Sequence, residues 1–355
     1  MSWIAIAGDG RRWTDPAFFE GAGDEALMPR GSLVIETRLA GGDRPQTLLS
    51  HGRRHPWPGG LSIQAMPGGN IVLVIDQDGE TFHTLLECPC DARTDLLRLT
   101  FSWESPRRWG RLVLERPGSE RFALRETPPP PPLVLGDIRA MMHRPGPTRA
   151  DPELAFIAVS DAVEPVGPMP SVCGDAPVST PLGPRALADL RCGDTVHTQG
   201  SGVVPVLHRV EREVPALGSF RPVRLRAPWF GLQRDLVVAP GQALVVGGSD
   251  VEYTFGRAAV LVPAASLVQG FAADYEEGPL TVRYAQLVLP GHEAFVAAGV
   301  ALESLYVGRL RRDRARQTAT LLEGCSSGLM PEHCRAGLQV LRPFEAVALA
   351  EARAA

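Results

Sequence analysis

Hydrophobic and polar residues alternate in short runs from about residue 31 to residue 126, the period of strands buried on one face. Leu97, Leu99, Phe101 and Trp103 alternate with Arg98, Thr100 and Ser102, and Leu33, Ile35 and Thr37 repeat the pattern. Ile71-Val-Leu-Val-Ile75 is continuous and predicts a strand buried on both faces. Between the runs, Pro67-Gly-Gly-Asn70 and Asp78-Gly79 supply residues that tolerate the positive φ of tight hairpin turns. The expected fold is mainly β, beginning with an antiparallel, jelly-roll-like sandwich.

Pro128 to Pro132 is an unbroken proline run, which cannot donate to a ladder and favours extended geometry. From there to Met169 the chain stays rich in proline, with apolar patches such as Leu154 to Val159 able to pair back onto the sandwich. Strand-like runs return at Val203 to Leu207, Leu236 to Ala239, Ala243 to Val246 and Leu287 to Leu289. After Leu310, residues 311–322 and 344–354 have helix-forming composition, interrupted by Gly324, Gly328 and Pro343. The expected organisation is a β-sandwich over 1–135, a Pro-rich connector over 136–170, a second β domain over 171–310 and a short helical tail over 311–355.

Composition narrows the chemistry. A chain of 355 residues suits about two cores. Its formal charge of −4, without an evident dense basic stripe, predicts no attraction to nucleic acid or an anionic membrane. All 36 basic residues are arginine, which excludes Schiff-base enzymes, P-loops and protein kinases, each of which needs a lysine amine. Six cysteines are too few for a disulfide scaffold of this length. The N-terminus meets Asp9 and Arg11 too early for a secretory h-region and no apolar run approaches a membrane span, so the chain reads as soluble, either cytoplasmic or exported without a cleavable signal.

The most specific signal is an ordered set of short motifs. Cys173-Gly-Asp175 is followed by Val178-Ser-Thr-Pro-Leu-Gly183, Leu187-Ala-Asp-Leu190 and Gly193-Asp194. Arg224 to Ala227 and Arg234 to Pro240 occupy the middle, and Tyr284-Ala-Gln-Leu287, His292-Glu293, Ala297-Ala-Gly299 and Glu303-Ser304 close it. Over about 140 residues this set resembles a Hedgehog/intein (Hint) module, the closing cluster being similar to that of bacterial members. The resemblance implies an N-to-S acyl shift in which the Cys173 thiol attacks the Val172 carbonyl, with a histidine protonating the leaving nitrogen. It also exposes departures. The family's middle block carries Ser or Thr and then, three residues on, His; this chain has Ala239 and Gln242. Bacterial relatives carry His two residues after the tyrosine; here that position is Gln286. His292 is the surviving histidine of the set. The block between Cys173 and Gly174-Asp175 is about two residues shorter than usual. Splicing needs a terminal asparagine, and the only asparagine is Asn70. The expected catalytic residues are therefore Cys173 as nucleophile and His292 as acid–base group, in a degenerate autoprocessing module capable at most of cleavage at Val172–Cys173. The competing reading of Cys173 is a small buried residue at a strand start.

Other constellations are weaker. Gly324-Cys-Ser-Ser-Gly328 matches a nucleophile elbow, but only His333 follows, seven residues after the serine, no Asp follows at all, and no buried strand leads into it. His83, Cys88 and Cys90, like Cys325, His333 and Cys334, lack zinc-knuckle spacing, and Gly21 to Ala26 lacks the preceding strand of a dinucleotide loop. No cofactor or metal is expected. The alternative function is non-enzymatic: the sandwich, whose architecture resembles laminin-G or concanavalin-like jelly rolls, would bind a glycan or a protein partner. Trp57 and Trp109 are the candidate contacts, with ordinary packing as the competing reading.

Overall fold

The computed structural model describes residues 2–39, 44–55, 57–87, 96–118, 122–143, 148–268, 271–326, 328–334 and 337–354. It is mainly β and divides into two compact units, Met1–Val166 and Gly167–Ala355. Cys88 and Cys90 lie outside the described residues.

The first unit is a sandwich of two large antiparallel sheets, with a further two-stranded pair, Leu27–Met28 and Leu133–Val134. One has seven strands in the order Phe122–Thr127, Trp109–Glu115, Leu96–Glu104, Arg30–Arg38, Phe156–Ser160, Trp3–Gly8, Arg11–Thr14. The other has five, in the order Thr148–Ala150, Gln46–Arg53, Gly59–Ala65, Ile71–Gln77, Glu80–Leu86. Leu33, Ile35, Leu99, Phe101 and Trp103 of the first sheet share one core with Leu49, Ile63, Leu73 and Ile75 of the second. Asp78 and Gly79, both at positive φ, make the expected hairpin turn between Ile71–Gln77 and Glu80–Leu86.

Two strands depart from their expected faces. Ile71–Gln77 buries Ile71, Leu73 and Ile75 but leaves Val72 and Val74 half-exposed, because they share their face with Ser62, Gln64 and His83 of neighbouring strands. Leu96–Glu104 is buried on both faces, including the alternating Arg98, Thr100 and Ser102. The residues after Ser160 help to cover that polar face. The Ser32 hydroxyl donates to the Ala162 carbonyl at 2.9 Å, and the Glu164 amide donates back to Ser32 Oγ at 2.8 Å. Arg98 pairs with Glu36 at 3.3 Å, so the buried polar groups are matched to one another.

Residues 136–160, read from sequence as a connector, contribute a helix and two strands to this unit. Phe156–Ser160 lies between Arg30–Arg38 and Trp3–Gly8. The helix Leu135–Met142 is tied to the five-stranded sheet through Asp137, which accepts from His51 Nε2 at 3.2 Å and also pairs with Arg53. Thr148 holds the other ring nitrogen of His51 at 2.8 Å.

The second unit also has two sheets. The first runs His208–Pro215, Thr281–Val288, Val172–Cys173, Leu236–Val238, Val223–Leu225, Ala273–Tyr275. The path of the larger sheet runs Arg185–Ala186, Pro177–Val178, Ala294–Ala297, Val300–Glu303, Ala243–Gly247, Ala259–Pro263, Gln339–Val340, with the hairpin Thr195–Thr198/Gly202–Pro205 attached to Ala294–Ala297. Val172, Val238, Ala285 and Leu287 pack against Leu244, Phe295 and Leu302 in one core. The tail carries the short helices Arg314–Thr318 and Pro343–Ala354.

Candidate functional site

Cys173 is fixed by strand register. Val172 pairs with Val238 on one side and Ala285 on the other, and Cys173 lies opposite Tyr284. Since side chains alternate across a strand, Val172 enters the core while Ser171, Cys173, Tyr284 and Gln286 share the opposite face. Downstream, Gly193 at φ +90 turns the chain, and the Asp194 carboxylate accepts from the Arg191 amide at 2.8 Å and from Arg185 at 3.0 Å. The Gly-Asp motif thus closes the first strand pairs of this unit.

None of the residues that share this face with Cys173, namely Ser171, Tyr284 and Gln286, is a histidine. Burial first, then Asp175 and Glu276, push the thiol up to about 12, against a lowering by Arg224. Tyr284 is buried, donates its hydroxyl to the Phe220 carbonyl at 2.9 Å, and is made less acidic by burial and by Cys173. Neither group supplies a thiolate or a phenolate near neutral pH.

The positions that the family resemblance gives to histidine meet beside Ser171. Gln286 Nε2 donates to Gln242 Oε1 at 2.9 Å and to Ser171 Oγ at 3.1 Å, and Ser171 Oγ donates to Gln242 Oε1 at 2.5 Å. Both amide groups also reach the Glu303 carbonyl, at 3.3 Å from Gln242 and 3.0 Å from Gln286. Ala239, in the place of the Ser or Thr, donates its backbone amide to the Ser171 carbonyl at 2.7 Å. Two residues before Cys173 there is thus a network of two neutral amides and a hydroxyl, in which the buried Gln286 Oε1 has no hydrogen-bond partner among the described residues. Amide side chains hydrogen-bond well and do not exchange protons near neutral pH.

His292 lies just before Ala294–Ala297, on the larger sheet, whereas Cys173 lies on the six-stranded one. Its Nε2 is 3.8 Å from the Glu303 carboxylate. The ring meets Tyr306 edge-on at 4.9 Å and stacks on His333 at 5.9 Å. Glu303 links the two groups of residues, offering its carbonyl to the glutamines and its carboxylate to His292. Sequence reasoning missed His333 and Tyr306 as companions of His292, because 27 residues separate Tyr306 from His333 and no motif spans them.

His333 is bonded through both ring nitrogens: Nδ1 accepts from the Val307 amide at 3.3 Å and Nε2 donates to the Leu289 carbonyl at 2.9 Å. Burial lowers its proton affinity below the ordinary 6.5, outweighing its backbone bonds and Glu293. The unfolded chain therefore takes up this proton first. The stability His333 contributes is complete above about pH 6.5 and is lost as pH falls below it. Denaturant titrations from neutral to acidic pH should show that loss, and His333→Gln should flatten it; an unchanged slope in the variant would assign the titration to other groups.

The remaining candidates find structural roles. Ser326 of the elbow-like sequence is exposed in a loop with no strand leading into it. No cluster of three His, Cys, Asp or Glu suited to a metal is present among the described residues. Trp57 lies beneath the Arg53 guanidinium at 5.2 Å, and Trp109 beneath that of Arg111 at 5.5 Å, so each ring already has a cation on it.

Residues 170–309 match the family model described as the Hint domain, and the second unit carries that domain. No curated protein matches the chain. Among solved structures, the CBM40 of Ruminococcus gnavus IT-sialidase bound to α2,3-sialyllactose is 14% identical, covers 46% of this chain and 89% of its own, and has a TM-score of 0.30. Tailspike protein 2 of Escherichia coli O157:H7 bacteriophage CAB120 is 10% identical over 39% of this chain and 18% of its own, with a TM-score of 0.25. The LG1-3 region of the laminin α2 chain is 11% identical over 86% of this chain and 56% of its own, with a TM-score of 0.25. None of these likenesses is strong enough to bring a ligand or an activity with it.

Proposed function

We propose that this is a Hint-superfamily protein whose self-processing is reduced, at most, to slow thiol-dependent cleavage between Val172 and Cys173, without splicing. The observation that carries the reading is the Gln242–Gln286–Ser171 network, which fills the positions of the family's proton donors with amides. In the residual reaction, the Cys173 thiol gives up its proton as Sγ bonds to the Val172 carbonyl carbon, the peptide C–N bond breaks, and the Cys173 nitrogen takes up a proton in exchange. A thioester then joins Val172 to the Cys173 side chain. His292 is the remaining acid–base group of the set, linked to the site through Glu303. Because the nitrogen is a poor leaving group, its protonation is the step most impaired.

Intact mass spectrometry of the purified chain, with and without a thiol or hydroxylamine, tests this. The expected result is a predominantly full-length mass, with a minor fragment ending at Val172 only when the nucleophile is added, and none in Cys173→Ala. Rapid, complete cleavage without an added nucleophile would show that the amides do not impair the site. A fragment persisting in Cys173→Ala would remove the thiol from the reaction.

A further inference from the structure

The net charge of −4 conceals a basic island in the tail, Arg309-Leu-Arg-Arg-Asp-Arg-Ala-Arg316. The expectation of no dense basic stripe fails here, because acidic residues elsewhere in the chain mask this segment in the total. Its five arginines and Asp313 are all exposed. The segment is also rigidly seated. Leu310 is buried with Val210, Val288, Leu305, Val307, Leu322 and Met330, and Gln317 holds the carbonyls of Leu322 and Cys325 at 3.2 and 2.8 Å.

Its arginines are only partly neutralised. Arg311 and Arg312 share Glu332, at 2.6 and 2.5 Å, and Arg316 pairs with Asp313 at 3.3 Å. Arg309 and Arg314 have no ion-pair partner among the described residues. Five arginines facing two carboxylates leave a local surplus of three positive charges. Beside them stands an apolar group: Arg311 Nη1 donates to the Met330 carbonyl at 3.4 Å, and the preceding Leu329 is 64% exposed.

We infer that this face, Arg309 to Arg316 with Leu329, docks peripherally on an anionic phospholipid surface. Guanidinium forks engage phosphate oxygens in pairs, and an exposed leucine next to them gains by entering the acyl boundary. A groove for nucleic acid would instead show aromatic residues for stacking, and this face has none. No helix among the described residues is long and apolar enough to cross a membrane, so the contact is superficial. It does not depend on whether Cys173 reacts.

Flotation of the full chain with vesicles of phosphatidylcholine, with and without phosphatidylglycerol, tests the inference. Binding should require the anionic lipid and fade as salt rises. Arg309→Gln with Arg314→Gln should weaken it about 30-fold, from the usual contribution of a basic residue near such a surface. Leu329→Ser should weaken it several-fold and reduce binding at high salt. These side chains are exposed, so the thermal transition should not move and loss of binding cannot be loss of fold. No binding, equal binding to pure phosphatidylcholine, or an unaffected double variant would overturn the inference. Displacement from the vesicles by a short oligonucleotide at lower concentration than by soluble phosphatidylglycerol headgroup would overturn it in favour of a nucleic-acid site.

Discussion

Iodoacetamide should modify Cys173 about 1000-fold more slowly at neutral pH than a thiol of ordinary acidity, because its proton is held three pH units more tightly and only the thiolate attacks. The cause is mainly burial, reinforced by Asp175 and Glu276, and Arg224 offsets only part of it. Peptide mapping of the alkylated protein gives a direct comparison, since Cys192 and Cys334 are exposed free thiols in the same chain. They should be modified first. Modification of Cys173 at a matching rate would mean that the sulfur is not buried in solution, and the case for a sluggish nucleophile would fall. The same protonation limits the acyl shift itself, which requires either a thiolate or a base to create one.

Replacing Gln242 with leucine should destabilise the second unit by about 3 kcal/mol, the order expected when a well-packed site loses buried hydrogen bonds and keeps their partners. The change takes from the Ser171 hydroxyl the oxygen it donates to and from the Ala243 carbonyl the Gln242 Nε2 it receives at 2.9 Å, while Gln286 Nε2 keeps Ser171 Oγ and the Glu303 carbonyl. Leucine has similar bulk, so the effect reports polar groups left without partners and little cavity formation. Equilibrium denaturation of the full chain and of the variant measures it. A difference below about 1 kcal/mol would mean that water enters and replaces the side chain. A full effect would establish that the amides bind Ser171, and through it the start of the domain, as a structural fastening where the family resemblance places proton transfer.

The legible parts of the sequence were those in which local pattern and tertiary environment agree. Leu33, Ile35, Phe101 and Trp103 announced one core face, and Asp78-Gly79 announced its turn. The opposite face was not legible, because Arg98, Thr100 and Ser102 are polar whether they meet water or other buried polar groups. Nor was the integration of residues 136–160: Phe156–Ser160 is a five-residue run among prolines, and only its neighbours on both sides make it a central strand. In the Hint domain, the ordered motifs drew attention to Cys173, Gln242 and Gln286. They did not reveal that the two glutamines bond to each other, since that depends on strands 44 residues apart in sequence coming together. The basic segment at 309–316 was in plain sight, but a count over the whole chain averaged it away.

The register of Val172 separates cutting from parting. That residue has a strand on each side, its side chain sits in the core, and the Ser171 carbonyl before it accepts from Ala239. A break after Val172 would therefore leave the new carboxyl end gripped as an inserted strand, with two covalent pieces behaving as one particle. Release would need a second event that pulls Ser171 and Val172 out of the sheet, so in this protein a nick is not yet a liberation.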